Sequence, residues 1–288
     1  MYDIYCIGHL TNDKVVTTRF AQYMPGGTAY YFSCALSKLP LKYLLATAVA
    51  PAEMKYVNAL QQKGIEVMVQ PSTHTVFFEN LYGENPDQRQ QNVLQQADQF
   101  TAAQFEAVNA RLFHLGPLLP GDISVDLIKT LAAKAPVSLD VQGYLRKVEN
   151  KKVYAAEWPE KKEALPYISI LKTDVGELQT LSGYPDVETG VKVLADWGVK
   201  EIVVTNGSHG SQIFRDGASY SIPAYIPPVI ADTTGCGDTY IAGYLYQRIL
   251  GVDIINAGRF AAAMAGLKTA VPGAFAGTLA DIQRFMKG

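Results

Sequence analysis

Short apolar runs rich in β-branched and aromatic residues alternate along this chain with stretches whose apolar positions recur at helical spacing. YDIYCIG (2–8), YLLATAVA (43–50), RLFHLG (111–116), PVSLDV (136–141), YISILK (167–172) and EIVVTN (201–206) predict buried strands. Between them, TAYYFSCALSKL (28–39), PAEMKYVNALQQKG (51–64), DISVDLIKTLAAKA (122–135) and ETGVKVLADWGVK (188–200) predict helices, the last closed by Gly198. That order argues for an α/β fold: a mainly parallel sheet with helices on both faces. Two long helical segments, 237–250 and 253–268, close the pattern.

Two stretches break the alternation. DKVVTTRFAQYM (13–24) follows the first strand directly and reads as another strand. TVFFENLYGENPDQRQQNVLQQAD (75–98) reads as a strand, a polar GENPD turn and a second strand. Such segments are either an edge ribbon or a cover over a cleft; long non-alternating insertions in α/β enzymes commonly cover active sites, so 13–23 and 73–96 are expected to form a β lid. No repeat or Pro/Gly/Ser linker divides the chain, and one domain over 1–288 carrying this lid is the expectation. The apolar faces of VFFENLY suggest a homodimer through the lid ribbons.

Composition narrows the function. Hydrophobic residues make up 48% and charged residues 18% of 288, ordinary for a folded globular chain. Twenty-five basic and 27 acidic residues give a net charge of −2 with no Lys/Arg run, which argues against a nucleic-acid-binding face. Any phosphate must then be held by backbone dipoles and a metal. The 3 cysteines (Cys6, Cys34 and Cys236) form no C-x-x-C pair, and a disulfide scaffold is not expected. MYDIYCIGHL lacks a basic n-region, and no apolar stretch approaches the ~18 residues of a membrane span. A reducing, cytoplasmic setting without membrane contact is the default expectation.

The chemistry-bearing motifs are weak singly. G-x-x-x-x-G-K-[ST], G-x-G-x-x-G after the first strand and G-x-S-x-G are all missing. His9, His74, His114 and His209 are scattered without ligand spacing, and His114 in an apolar strand reads as structural. MPGGTAYYF places Gly26 and Gly27 before a helix, where first-turn N–H groups could meet a substrate or simply make a turn. LKTDVGE puts Asp174 and Glu177 three apart at a helix start, as a capping box or as carboxylates near hydrated Mg²⁺. VVTNGSHGSQIF reads as strand, glycine turn, strand. DTTGCGDTYIAGYL (232–245) sets Gly235, Cys236 and Gly237 before Asp238 and a helix. It is either a capped turn or an anion hole.

The order of these signals is far more specific. First-strand acid, GG-helix, strand-K-x-[acid]-x-x-E, strand-T-x-G-x-x-G, then D-T-x-G-x-G-D: this order resembles the ribokinase-like (PfkB-type) carbohydrate kinase family across nearly the whole chain. Cys236 stands where the family usually has Ala. YGENPDQR, DVQGYLR and GG-T-x-Y-Y resemble the inositol, polyol and sugar kinases within it.

The resemblance implies a three-layer α/β/α fold with a β lid, and an ATP- and Mg²⁺-dependent phosphotransferase. Asp238 would be the base, with the N–H groups of Gly235, Cys236 and Gly237 as the anion hole. Asp13, Gly26 and Gly27 would bind substrate, with Asp140 and Gln142 of DVQG beside them. Asp174 and Glu177 would organise Mg²⁺ and phosphates. Thr205, Gly207 and Gly210 would face ATP, with the adenine near the 258–269 helix. Asp232 and the 268–277 segment would lie where many relatives bind K⁺, although KTAVPGAFAG departs from the usual sequence there. The family's N-x-x-E is D-x-x-E here, which adds a charge beside the phosphates. A neutral sugar or cyclitol is the expected substrate, with Arg146 on a helix-like GYLRKVEN pointing outward or to the lid. A nucleoside kinase and a catalytically inactive sugar-sensing relative are the alternatives.

Overall fold

The computed structural model describes residues 1–17, 21–82 and 89–287. In chain order it has β1 (Tyr2–Gly8), β2 (Thr11–Val16), β3 (Ala21–Gly26), α1 (Thr28–Leu36), β4 (Tyr43–Val49), α2 (Met54–Gln62), β5 (Glu66–Pro71), β6 (Val76–Tyr82) and β7 (Arg89–Gln95). There follow β8 (Ala110–Gly116), α3 (Val125–Ala132), β9 (Val137–Asp140), β10 (Arg146–Glu149), β11 (Lys152–Ala155), α4 (Lys161–Ala164), β12 (Ile170–Asp174), α5 (Val175–Ser182) and α6 (Val187–Asp196). The chain ends with β13 (Glu201–Thr205), β14 (Ser211–Arg215), β15 (Ala218–Ile222), α7 (Cys236–Ile249), α8 (Ile254–Thr269) and α9 (Leu279–Phe285).

The main sheet runs β15-β14-β13-β12-β9-β8-β1-β4-β5, parallel from β5 to β13 and closed by the antiparallel β14–β15 hairpin. Alternation along β1 sorts the two faces. Ile4 and Cys6 join a core with α1, α2, α7 and α8, while Tyr5 and Ile7 pack with α3, α5 and α6. Both faces are covered, giving the three α/β/α layers that near-continuous apolar strands require. Among the described residues no helix is long and apolar enough to cross a membrane.

A second sheet, β10-β11-β7-β6-β2-β3, is built by excursions from the C-terminal ends of β1, β5 and β9. It differs from expectation in two places. Residues 13–24 are not one strand: β2 pairs antiparallel with β3, Thr11 opposite Gly26 and Val16 opposite Ala21. Pro25 is tolerated because β3 is an edge strand. The helix-like GYLRKVEN is instead a short 3₁₀ turn over Val141–Leu145 leading into β10. There Asn150 (φ 49°) and Lys151 (φ 68°) make a two-residue hairpin between Glu149 and Lys152. The GENPD turn lies outside the described residues. The inward side chains of VFFENLY pack on their own chain, Val76 and Phe78 against Val93, Leu118 and Leu119.

Candidate active site

The DTTGCGD stretch is a tight loop that delivers α7. Gly235 is its N-cap with φ 74°, and a Cβ there would lie 2.3 Å from the Tyr31 ring. Both conditions demand glycine. This packing joins the GG-T-x-Y-Y helix, α1, to the start of α7. The first-turn N–H groups of an α-helix lack intrahelical partners. The Cys236 N–H donates to Thr233 O at 3.2 Å, so one of the three expected anion-hole donors is already engaged. Among the described residues the N–H groups of Gly235 and Gly237 take no backbone partner. Burial pushes the Cys236 thiol up, its Sγ lies 3.7 Å from Ala265 O, and a nucleophilic role has no support.

Asp238 sits one residue beyond, with carboxylates and one cation around it. Desolvation and then Asp140 push its pKa up to about 7, against the pull of Lys172 and a hydrogen bond from Thr28. The cation was part of the K-x-[acid]-x-x-E motif but had no assigned role. Lys172 on β12 stands in register with Asp140 on β9, and its Nζ lies 3.0 Å from Asp140 Oδ2 and 3.9 Å from Glu177 Oε2. The same ammonium would be 3.2 Å from a Cβ at Gly237, so it lies against the backbone expected to form the anion hole.

Asp140, expected among the substrate ligands, is buried and internally engaged. Its Oδ1 accepts the Gln142 N–H at 3.1 Å while Oδ2 faces Lys172. Gln142 Nε2 reaches Glu177 Oε1 at 3.3 Å. Asp174 and Glu177 form a reciprocal capping box on α5: Glu177 N–H to Asp174 Oδ1 at 2.7 Å, Asp174 N–H to Glu177 Oε2 at 2.9 Å. Burial raises the Glu177 pKa. Asp140, Gln142, Lys172 and Glu177 thus form one network of contacts, to which Asp238 is coupled electrostatically.

Asp13, Gly26 and Gly27 meet where β2 pairs with β3. A Cβ at Gly26 would fall 2.3 Å from Asp13 Oδ2, and one at Gly27 (φ 90°) would fall 2.6 Å from His9 O. Nearby cations are engaged: Lys14 Nζ bonds Glu79 at 2.9 Å, and Arg146 donates to Leu118 O at 3.2 Å with its guanidinium over the Phe78 ring. Arg146 therefore lies on the second sheet itself, at the start of β10 and not on a helix.

On the other side of Gly237 opens a cavity of ≈ 520 Å³. Thr205, Gly207 and Gly210 line it together with Cys236, Gly237, and Ala262, Ala265 and Gly266 of α8. Its outer wall is apolar and was not foreseen: Ala224–Pro227 and Ile230, from the loop before DTTGCGD. Asp232, expected beside K⁺, is salt-bridged to Lys268 at 3.0 Å, and the expected ion does not fit there. His114 is structural, buried against Phe32 with Nδ1 at 3.2 Å from Ser138 Oγ.

Residues 1–280 match the model of the pfkB family of carbohydrate kinases, and the chain belongs to that family. It is similar to a solved pyrophosphate-dependent kinase of the ribokinase family complexed with a pyrophosphate analogue and myo-inositol. That likeness has 29% identity and a TM-score of 0.88 over 98% of this chain and 99% of the other. The ribokinase of Arabidopsis thaliana, solved with ribose and ATP, shares the fold at 21% identity and TM-score 0.81, over 100% of this chain and 99% of that one. The cytidine kinase of Thermococcus kodakarensis is 24% identical over 85% of this chain and 88% of its own length. The protein is a kinase of ribokinase-like fold.

Proposed function

We propose that this kinase transfers the γ-phosphoryl group of ATP to a hydroxyl of a neutral polyol or sugar, a cyclitol such as myo-inositol foremost. The observation that carries the reading is the placement of Asp238: at the N-terminus of α7, near neutrality in pKa, and next to Gly237 of the cavity wall. A base that must accept a proton near neutral pH needs a pKa close to 7. Asp238 takes the acceptor's hydroxyl proton. Gly235 and Gly237 N–H groups, with Lys172 against that backbone, stabilise charge on the transferring phosphoryl group, each oxyanion-hole donor being worth about 3 kcal/mol in comparable sites.

The cavity supports a nucleotide donor. Its volume of ≈ 520 Å³ and its Ile226, Pro227, Ile230, Ala262 and Ala265 walls suit a purine base. Pyrophosphate would leave that space unused. Among the described residues no cluster of three or more His, Cys, Asp or Glu forms a protein-only metal cage. Mg²⁺, which neutralises phosphate charge, would then be held chiefly by phosphates and water, with Asp174 and Glu177 of the α5 capping box as outer ligands. The acceptor side favours a neutral, hydroxyl-bearing substrate because Asp13 and the Gly26–Gly27 backbone lie together there. Asp13 accepts, and the Gly26–Gly27 backbone positions, hydroxyl groups.

The test is a matrix of ATP or pyrophosphate, with Mg²⁺, against myo-inositol, ribose, fructose, cytidine, adenosine, 2-keto-3-deoxygluconate and fructose 1-phosphate. ATP with myo-inositol or another neutral sugar or polyol should give the highest kcat/KM. A tenfold preference for pyrophosphate overturns the donor, and one for a nucleoside or an anionic acceptor overturns the acceptor. Binding of sugar without transfer from either donor identifies a sensor.

A further inference from the structure

Asp232 opens the DTTGCGD loop, and its inner face is occupied by a side chain of this same protein. Lys268, in the last turn of α8, is wholly buried, and its Nζ donates to the Asp232 backbone carbonyl at 2.8 Å and to Asp232 Oδ2 at 3.0 Å. The remaining bonds to Asp232 bind the neighbouring backbone to this pair. Gly273 N–H donates to Oδ2 at 3.0 Å and Thr234 N–H to Oδ1 at 2.9 Å, while Asp232 N–H donates to Thr269 O at 3.2 Å. One ammonium therefore ties the end of α8, the 270–278 loop and the loop that shapes Gly235–Gly237.

A monovalent cation on this side of Asp232 would need the oxygens that Lys268 already takes. It would also sit against a fixed positive charge in a desolvated place, where like charges repel strongly. We propose that Lys268 is a covalently tethered substitute for a monovalent activating ion, so that this kinase works at full rate without K⁺. A tethered ammonium has no binding equilibrium to satisfy, and a partly buried pair is screened by salt much less than an exposed one. The inference rests on the kinase reading for its activity arm and on the Asp232 geometry alone for its binding arm.

The experiment compares wild type and Lys268→Ala at one ionic strength in choline chloride, NaCl and KCl, after exhaustive removal of K⁺, NH₄⁺ and Na⁺. Activity is read with ATP, Mg²⁺ and the best acceptor. Thermal unfolding and Tl⁺ binding by ²⁰⁵Tl NMR are read without substrates. Wild type should show the same kcat/KM within twofold in all three salts, the same Tm, and no saturable Tl⁺ binding. Lys268→Ala should lose at least tenfold in choline, regain at least fivefold in KCl, and bind Tl⁺. Should Lys268→Ala not fold in choline, its refolding yield in KCl takes the place of its activity, recovery supporting the substitution and equal failure overturning it. Potassium-specific stimulation or stabilisation of wild type, or a Lys268→Ala variant indifferent to K⁺, overturns the inference. Absence of phosphoryl transfer in every salt would instead defeat the kinase reading, and the Tm and Tl⁺ readings would still decide the role of Lys268.

Discussion

Lys172 and Asp140 face each other in register on adjacent parallel strands, Nζ 3.0 Å from Oδ2, both side chains almost wholly buried. Burial raises the Asp238 pKa most; Asp140 adds to that and Lys172 lowers it, so the pair tunes the proton affinity of the proposed base through space. Its geometry is a consequence of strand register: β9 and β12 deliver the two charges to the same height near their C-terminal ends, where α/β sheets bind ligands.

Lys172→Met should therefore have two separable effects. Breaking a buried ion pair by removing one partner costs about 3–5 kcal/mol of stability, because Asp140 is left as an uncompensated charge. The Asp238 pKa, no longer pulled down, should rise further, moving the acidic limb of kcat/KM to higher pH. Lys172→Met/Asp140→Asn should regain much of the stability without regaining the rate. Denaturant unfolding and pH–rate profiles check both; a limb that stays in place refutes the electrostatic role.

Asp238 itself predicts a pH profile of definite sign. A base works deprotonated, so kcat/KM should rise with pH through about 7. Asp238→Asn should lower kcat by about 10²–10⁴ while leaving acceptor binding in place. Stability runs the other way. A pKa raised on folding means the native state favours the protonated carboxyl, so that contribution is full below the unfolded value near 3.8 and lost as pH rises through about 7. Asp238→Asn should consequently exceed wild type in Tm at pH 8, by more than it does at pH 5. An equal difference at both values would contradict the burial argument.

The two glycine classes in the site offer a controlled comparison. Gly235 combines φ 74° with a Tyr31 ring 2.3 Å from any Cβ, whereas Gly207 has φ 51° and nothing within 4 Å. Left-handed backbone costs a non-glycine residue roughly 1–2 kcal/mol. Gly207→Ala should show about that loss and a raised ATP KM at most. Gly235→Ala adds the ring clash, so its stability loss should be clearly larger and its kcat should collapse as the loop shifts. Equal losses in the two variants would mean that the Tyr31 contact does not hold the loop.

These cases show which parts of the molecule could be read from the chain. Alternating apolar runs carry the three layers, because each parallel strand is buried on both sides. The glycine spacing of DTTGCGD carries the turn into α7, because φ and steric demand fall on residues adjacent in sequence. Lys172 was visible only as a letter in a motif; its partner Asp140 appears once β9 and β12 are in register. Lys268 and Asp232 are 36 residues apart, and nothing local marks a buried lysine that reaches a loop. The hairpin at 146–155 was hidden for a similar reason. Its β11 pairs with β7 through Lys152 and Asn92, a contact that overrides the local helical spacing of GYLRKVEN.

The cavity proposed for the donor supplies the last prediction. Ala262 of α8 is buried in its wall, which the Ala224–Pro227 loop also lines, at a distance in sequence from Asp238 and the acceptor residues. Ala262→Phe would fill space that an adenine needs and that pyrophosphate does not. With a nucleotide donor, KM for ATP should rise more than tenfold, about 1.4 kcal/mol of lost binding, while acceptor KM stays within twofold. Ala262→Ser, which keeps the volume, should stay near wild type and guard against a general packing defect. A pyrophosphate-driven rate, if measurable, should be indifferent to Ala262→Phe. An unchanged ATP KM in that variant would show that the base binds elsewhere, and the cavity would lose its claim on the donor.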